Sequence, residues 1–193
     1  MKTKMLTFML VIATLFMDAQ SSEHLTFKGI PIDGSLAGFV QKLQHDGFKT
    51  LGNADGVVFL EGEFAAYKGC VVGVQSLEQF DLVSSIWVRF PERDTWSSLS
   101  GDYIHLKGLL TEKYGTPAEE IEEFVEDIPL YGDLLMMHAV RMNSCECMTT
   151  YEVENGLIQL AIESDSDEKC FVSLYYLDKK NSERVRQKAL DDL

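Results

Sequence analysis

The sequence lacks an apolar segment long enough to cross a bilayer. Its longest apolar run covers positions 5–17, whereas a membrane-spanning helix needs about 20 such residues. Lys2 and Lys4 precede this run, and Ala19 follows it as the small residue before a cleavable bond. Basic, apolar and small residues in this order predict a secretory signal peptide over residues 1–20, and therefore a periplasmic or secreted protein.

Basic residues are also few. The chain has 17 Lys and Arg against 31 Asp and Glu, for a net charge of −14. Removal of the signal peptide takes away Lys2, Lys4 and Asp18 and leaves a charge of about −15. Such an acidic chain repels the phosphates of nucleic acids and anionic lipid surfaces. The composition therefore predicts no nucleic-acid partner and no membrane span, and leaves a protein partner possible.

Cysteine is absent before position 70, which excludes a lipid-modified cysteine at the cleavage site. The four cysteines are Cys70, Cys145, Cys147 and Cys170. Export favours at least one disulfide, and three full pairings are possible. Residues two apart on a strand lie near the upper Cα distance for a bridge. We therefore expect one bridge from Cys70 to the Cys145 and Cys147 pair, with Cys170 buried.

Signatures of catalysis are missing as well. The chain has no G-x-S-x-G elbow, no H-E-x-x-H, no phosphate loop and no G-x-G-x-x-G. Its four histidines are dispersed, and the acidic turn at 165–168 lacks the glycine and closing glutamate of a calcium loop. Glu61 and Glu63 share a strand face, but paired carboxylates on an exposed strand usually serve solubility. We predict no catalytic residue, no metal site and no cofactor.

Two stretches of the chain have the same layout, an amphipathic helix ended by glycine and then a run of strands. Apolar residues recur at helical spacing from 35 to 46 before Gly47, and from 95 to 114 before Gly115. This duplication predicts an α+β fold, a tandem repeat of helix plus antiparallel β-meander with the helices packed on one face of the sheet. The predicted units are residues 21–91 and 92–180, followed by a C-terminal tail or helix over 181–193.

The remaining segments are assigned by local pattern. Alternation and turn residues predict strands at 56–67, 70–77, 82–91, 133–142, 145–154, 157–163 and 170–178. The glutamate-rich segment 118–128 is predicted as a short solvated helix, and 181–193 as a terminal helix capped by Ser182. Lys68-Gly69 and Asn155-Gly156 are predicted turns, the second of type I′.

A family resemblance accompanies this layout. The tandem of helix and meander, preceded by an export signal, resembles the fold of the beta-lactamase inhibitor protein. The stretch from Trp96-Ser97-Ser98-Leu99 to Lys113-Tyr114-Gly115-Thr116-Pro117 looks like secreted bacterial proteins with the same two-unit arrangement. The resemblance implies a fold and suggests a binding role. It carries over no inhibitory residue, because no interaction motif is shared.

The strand alternation also predicts a binding face. Apolar residues that alternate with Trp87 and Arg89 face the helices, which leaves these two side chains on the other side of the sheet. Trp, Tyr and Arg exposed together are typical of interfaces. The predicted binding residues are Tyr67, Trp87, Arg89, Phe171 and Tyr175.

The sequence therefore favours an exported, non-enzymatic binding or inhibitory module that uses the open sheet face. The alternatives are an enzyme whose site only the fold assembles, and a structural accessory subunit. A deep pocket with convergent polar groups would favour the enzyme. A shallow aromatic surface would favour binding, and a large flat apolar patch would favour obligate assembly.

Overall fold

A computed structural model of the chain describes residues 24–77, 80–124 and 132–191. The predicted signal peptide, residues 1–20, lies outside the described residues. Over these described residues the fold is mixed α+β, with four helices, a two-stranded sheet and an eight-stranded antiparallel sheet. The prediction of an α+β fold is confirmed. Within the described part of the chain, no helix has the length and apolar character needed to cross a membrane.

The elements follow one another in two blocks. The strands are β1 (Thr26–Phe27), β2 (Ile30–Pro31), β3 (Lys49–Ala54), β4 (Val57–Phe64), β5 (Tyr67–Leu77), β6 (Leu82–Arg89), β7 (Glu119–Phe124), β8 (Cys145–Val153), β9 (Gly156–Ser164) and β10 (Cys170–Asp178). The helices are α1 (Leu36–His45), α2 (Trp96–Tyr114), α3 (Asp133–Arg141) and α4 (Lys179–Asp191). The large sheet has the order β3-β4-β5-β6-β10-β9-β8-β7, so the two blocks meet where β6 pairs with β10.

The core lies between this sheet and helices α1, α2 and α3. Phe39 and Leu43 of α1 are buried, and α1 packs against β5 and β6. Four residues of α2 at helical spacing, Leu99, Tyr103, Leu106 and Leu110, are buried, and α2 packs against β8, β9 and β10. Ser35 and Thr95 cap these helices, because each side chain accepts a hydrogen bond from a backbone N–H of the first turn. The helical spacing of their apolar residues therefore correctly predicted both α1 and α2.

Two predicted elements in the second block are wrong. Residues 119–124 form the edge strand β7, not a solvated helix, because they pair along β8 and because Lys107 of α2 binds Glu120 and Glu122. Residues 133–141 form helix α3, not a strand. Its short apolar run fits either element by periodicity, and burial of Met137 and Val140 against the sheet favours the helix.

The turns also differ from their predicted positions. The prediction of a type I′ turn at Asn155-Gly156 is wrong, because Gly156 is already the first residue of β9, where it pairs with Asp178 of β10, and its φ is not positive. Position 156 requires glycine because the backbone of β10 lies very close to it. A Cβ at this position would collide with the carbonyl oxygen of Leu177. The turn after β4 is formed by Ala65 and Ala66, not Lys68-Gly69, and both alanines have the positive φ of a type I′ turn.

The C-terminal helix begins earlier than predicted. Asp178 caps α4, because its carboxylate accepts the backbone N–H of Asn181 at 2.8 Å. Ser182 therefore lies inside the helix and donates to the Asp178 carbonyl at 2.7 Å. The Asp178 side chain is fully buried and also accepts the backbone N–H of Leu25 at 2.8 Å. It thus ties the beginning of the described chain to its last helix.

The expected disulfide from Cys70 to Cys145 or Cys147 is also wrong. All four cysteines are free, and Cys70 lies in β5 while the pair lies in β8. Four inter-strand spacings of about 4.8 Å separate β5 from β8, or about 19 Å, and a disulfide needs Cα atoms within about 7 Å. Cys170 is buried, as predicted.

Candidate binding face

Trp87 and Tyr175 lie next to each other on the side of the sheet opposite α1, α2 and α3, which we call the outer face. The two residues are directly paired between β6 and β10, and the same row continues through Gly73 to Phe59. A Cβ on Gly73 would lie 3.6 Å from the Trp87 ring and 3.5 Å from the Phe59 ring. Because Gly73 has no side chain, the rings of Phe59 and Trp87 can both extend over its backbone. Phe59, Trp87 and Tyr175 form a half-buried row that we call the aromatic strip.

Arg89 also lies on the outer face, but its charge is paired within the chain. Its guanidinium lies 4.1 Å from the ring centroid of Phe171 and makes ion pairs with Asp165 at 2.8 Å and Glu92 at 3.0 Å. The backbone N–H of Lys169, together with Arg89, lowers the pKa of the Asp165 carboxyl. Arg89 therefore holds the 165–169 turn against the sheet.

Phe171 supports the aromatic strip from one side. Its ring meets that of Trp87 edge to face at 6.3 Å between centroids, and only 4% of the residue is exposed. Such aromatic pairs contribute about 0.5–1.5 kcal/mol beyond the area that they bury. Of the five predicted binding residues, Trp87, Arg89 and Tyr175 are therefore partly exposed on the outer face, and Phe171 is buried beneath them.

Tyr67 points to the opposite side of the sheet, and its predicted outward orientation is wrong. A register shift between Gly62 and Phe64 pairs Phe64 with Tyr67, and both turn toward the helices. The Tyr67 hydroxyl donates to Asp102 of α2 at 3.1 Å, and its ring packs edge to face on Phe90. Burial, and then the Asp102 carboxylate, raise the pKa of Tyr67 to about 12.

Glutamates surround the other end of the outer face. Glu123 of β7 is directly opposite Glu146 of β8, a like-charge pair that disfavours the folded state. The exposed glutamates on this side are Glu119, Glu123, Glu146, Glu152 and Glu163. Within the residues that the structure describes, none of these five carboxylates is in an ion pair. The sheet therefore presents an unneutralised negative field beside the aromatic strip.

A cavity of about 560 Å³ lies at this acidic end. Its lining includes Glu123, Glu146, Met148, Gln159, Ala161 and Glu163. Beside it in the β8–β9 register, Thr150 pairs with Gln159. The Thr150 hydroxyl is buried and has no hydrogen-bond partner, while the Gln159 amide donates to the Met148 sulfur at 2.8 Å. Among the described residues of the outer face, the Thr150 hydroxyl is therefore a buried polar group without a hydrogen-bond partner.

Sequence reasoning missed Phe59, Gly73 and Thr150 on this face. A signal existed for Phe59, which has the same strand parity as Glu61, a residue already assigned outward. The role of Gly73 depends on the rings of the neighbouring strands, and that of Thr150 depends on burial, so neither has a local signal.

Comparisons with protein-family models, with curated proteins and with solved structures gave no match. Among the described residues, no group of three or more His, Cys, Asp or Glu side chains is arranged to hold a metal ion. The site is therefore defined by its own geometry alone.

Proposed function

We propose that this protein is an exported, non-enzymatic binding or inhibitory module that takes up a protein partner on its outer face. The observation that carries the proposal is the aromatic strip of Phe59, Trp87 and Tyr175, which is half-exposed on a sheet face away from α1, α2 and α3. Large amphipathic rings at the centre of a surface are the usual anchors of protein interfaces. The same proposal includes export of the chain. It also includes a tandem origin of the fold, which the resemblance to the beta-lactamase inhibitor protein fold suggests.

The size of the outer face supports a protein partner. Eight strands with spacings of about 4.8 Å give a width of about 34 Å, and strands of about nine residues give a length near 30 Å. This is about 1,000 Å² of projected area, which α4 borders at one end beside Leu157 and Leu177, and one side of a standard interface buries about 800 Å². The face is therefore large enough for a folded partner or an extended segment of one.

The charge of the face favours a cationic partner. The five unpaired glutamates are part of the chain's net charge of −14 and concentrate negative charge on this side of the sheet. A second copy of the chain would bring the same charge and be repelled, whereas Lys and Arg side chains of a partner would relieve the Glu123–Glu146 repulsion. Nucleic acids remain unsuited for the same electrostatic reason.

The test compares the full chain with single variants as immobilised baits for native extracellular or envelope protein. Trp87→Ala and Tyr175→Ala each remove one half-buried ring of the aromatic strip. Ile104→Ala serves as the matched control because Ile104 is 63% exposed on α2. A partner bound through the outer face should lose about 2 kcal/mol or more with Trp87→Ala, about thirtyfold in affinity. Its capture by Ile104→Ala should equal that by the natural chain.

A second arm tests the charge. Glu123→Gln with Glu146→Gln should weaken capture and reduce its dependence on salt, because two charges of the acidic row are removed. A partner that binds all variants equally, or that is lost only with Ile104→Ala, would place the interface elsewhere. Detection of an intact Met1 in the native protein would contradict export.

A further inference from the structure

A cavity of about 470 Å³ lies between helix α4 and the beginning of β6. Two half-buried apolar side chains, Phe80 and Leu82, line it on the β6 side. The other lining residues belong to α4 and are all polar, namely Arg184, Gln187, Lys188 and Asp191. Their spacing of i, i+3, i+4 and i+7 places them on one stripe of the helix. The stripe of α4 that shares this cavity with Phe80 and Leu82 therefore contains no apolar side chain.

Positive charge is concentrated on α4. Outside the predicted signal peptide the chain has 15 Lys and Arg residues, which is the total of 17 less Lys2 and Lys4. Five of these 15 lie within the 13 residues of α4, where the acidic residues are Glu183 and Asp191. Five basic and two acidic residues give the helix a net charge of +3, in a chain whose net charge is −14. An anion is therefore attracted to α4 although the chain as a whole repels it.

Two of these cations, Arg184 and Lys188, are at the cavity. The Lys188 ammonium lies 4.6 Å from the ring centroid of Phe80, and this cation–π contact holds it at the apolar wall. In the described part of the chain, neither Arg184 nor Lys188 is in an ion pair. Asp191 is the one carboxylate among the described lining residues, and it accepts a hydrogen bond from the Gln187 amide at 2.9 Å. The lining therefore has one positive charge in excess.

We propose that this cavity binds a small amphipathic anion, an organic acid whose charged group lies between Arg184 and Lys188 and whose apolar body lies on Phe80 and Leu82. The volume of about 470 Å³ is within the range of about 300–1,000 Å³ that is typical of small-molecule sites. Carboxylate or sulfonate oxygens match the planar donors of a guanidinium. The described lining includes no residue of the aromatic strip, and the proposal does not depend on the binding function of the outer face.

Both parts of such a ligand are needed for binding. Arg184 and Lys188 are exposed, and one exposed ion pair changes an affinity by about fivefold at most, so an inorganic anion binds weakly. An uncharged apolar molecule takes water away from the two cations and offers them no hydrogen-bond acceptor. An amphipathic anion covers Phe80 and Leu82 and also pairs with the cations. We therefore expect it to bind more tightly than either an inorganic anion or an uncharged molecule of the same shape.

The experiment titrates the folded full chain with anilinonaphthalene sulfonate, an aromatic anion whose fluorescence rises in apolar surroundings. Phenylnaphthylamine, which has the same rings and no sulfonate, is the uncharged comparison. Arg184→Gln and Lys188→Gln each remove one cation of the cavity. Arg186→Gln is the matched control, because Arg186 is an exposed arginine of the same helix that is not part of this lining. Circular dichroism checks that each variant folds.

The natural chain should bind the sulfonate at one saturable site and more tightly than the uncharged analogue. Arg184→Gln and Lys188→Gln should each weaken this binding about fivefold. Phe80→Ala should weaken the binding of both probes, because it removes the apolar wall. Arg186→Gln and Trp87→Ala should bind the sulfonate as the natural chain does.

Several results would overturn the proposal. An equal loss in Arg184→Gln and Arg186→Gln would mean diffuse attraction to the helix, and equal affinity for the two probes would mean that only apolar surface is recognised. Loss of binding in Trp87→Ala would place the probe on the outer face. Absence of saturable binding below about 1 mM would mean that the cavity is no site. Sedimentation of the natural chain, but not of Arg184→Gln, with phosphatidylglycerol vesicles would assign the cations to a lipid surface instead.

Discussion

The hydrogen bond between Tyr103 and Thr149 should account for a measurable part of the stability of the fold. The two hydroxyl groups lie 2.6 Å apart between α2 and β8, and the residues are 3% and 0% exposed. Tyr103→Phe leaves the Thr149 hydroxyl buried without this partner, and Thr149→Val does the same to Tyr103. Each single change should cost about 1–3 kcal/mol in the free energy of unfolding.

The double variant separates this hydrogen bond from other effects of the two substitutions. When both hydroxyl groups are absent, no buried polar atom of the pair is left unsatisfied, and the double variant should be much less unstable than the sum of the single variants. The coupling energy should be about 1–3 kcal/mol. Urea unfolding followed by circular dichroism measures all four proteins.

Additive single effects, or a Tyr103→Phe cost under about 0.5 kcal/mol, would refute this argument. The latter result would mean that water reaches the Thr149 hydroxyl and that α2 does not seal this part of the sheet. Because the pair lies on the helix-facing side, partner capture through the outer face should be the same in all four proteins. A loss of capture in the double variant would show that the outer face depends on the packing of α2.

Two further predictions concern glycine and tyrosine. Gly156→Ala should lower the free energy of unfolding by about 2 kcal/mol or more, because the new Cβ collides with the Leu177 carbonyl oxygen. Gly73→Ala should change the free energy of unfolding by no more than about 1 kcal/mol. Equal shifts of the melting temperature in the two variants would contradict the close approach of the Leu177 carbonyl to residue 156. The pKa values of Tyr67 and Tyr103 are raised to about 12 from an ordinary value of 10. The stability that these two protonated tyrosines contribute is therefore present below about pH 10 and is lost as pH rises through about 12. Urea unfolding at several alkaline pH values measures this loss. The free energy of unfolding should fall less with pH in Tyr67→Phe than in the natural chain.

Local pattern was sufficient where one face of an element is buried against a single neighbour. The apolar spacing of α1 and α2 predicted both helices, because burial of residues such as Phe39 and Leu99 follows the helical period. Alternation placed Trp87 and Tyr175 on the same face, because both strands are regular over that region.

Local pattern failed where a partner from elsewhere in the chain decided the outcome. The glutamates of β7 are good helix formers, but pairing with β8 and the two bonds to Lys107 fix them in a strand. The segment that forms α3 has a short apolar run with no distinctive period. In both cases tertiary contacts outweigh propensities of less than about 1 kcal/mol per residue.

By itself, the sequence determined the α+β class, the two main helices, most strands of the large sheet and the side of the sheet on which Trp87 and Tyr175 lie. These features depend on periodicity, which is set by the geometry of the backbone within one element. Only the tertiary structure decided that Tyr67 turns inward, that the rings of Phe59 and Trp87 both lie over Gly73, and that Cys70 is far from Cys145. A bulge, a missing side chain beneath two rings and the order of strands each depend on residues distant in the chain.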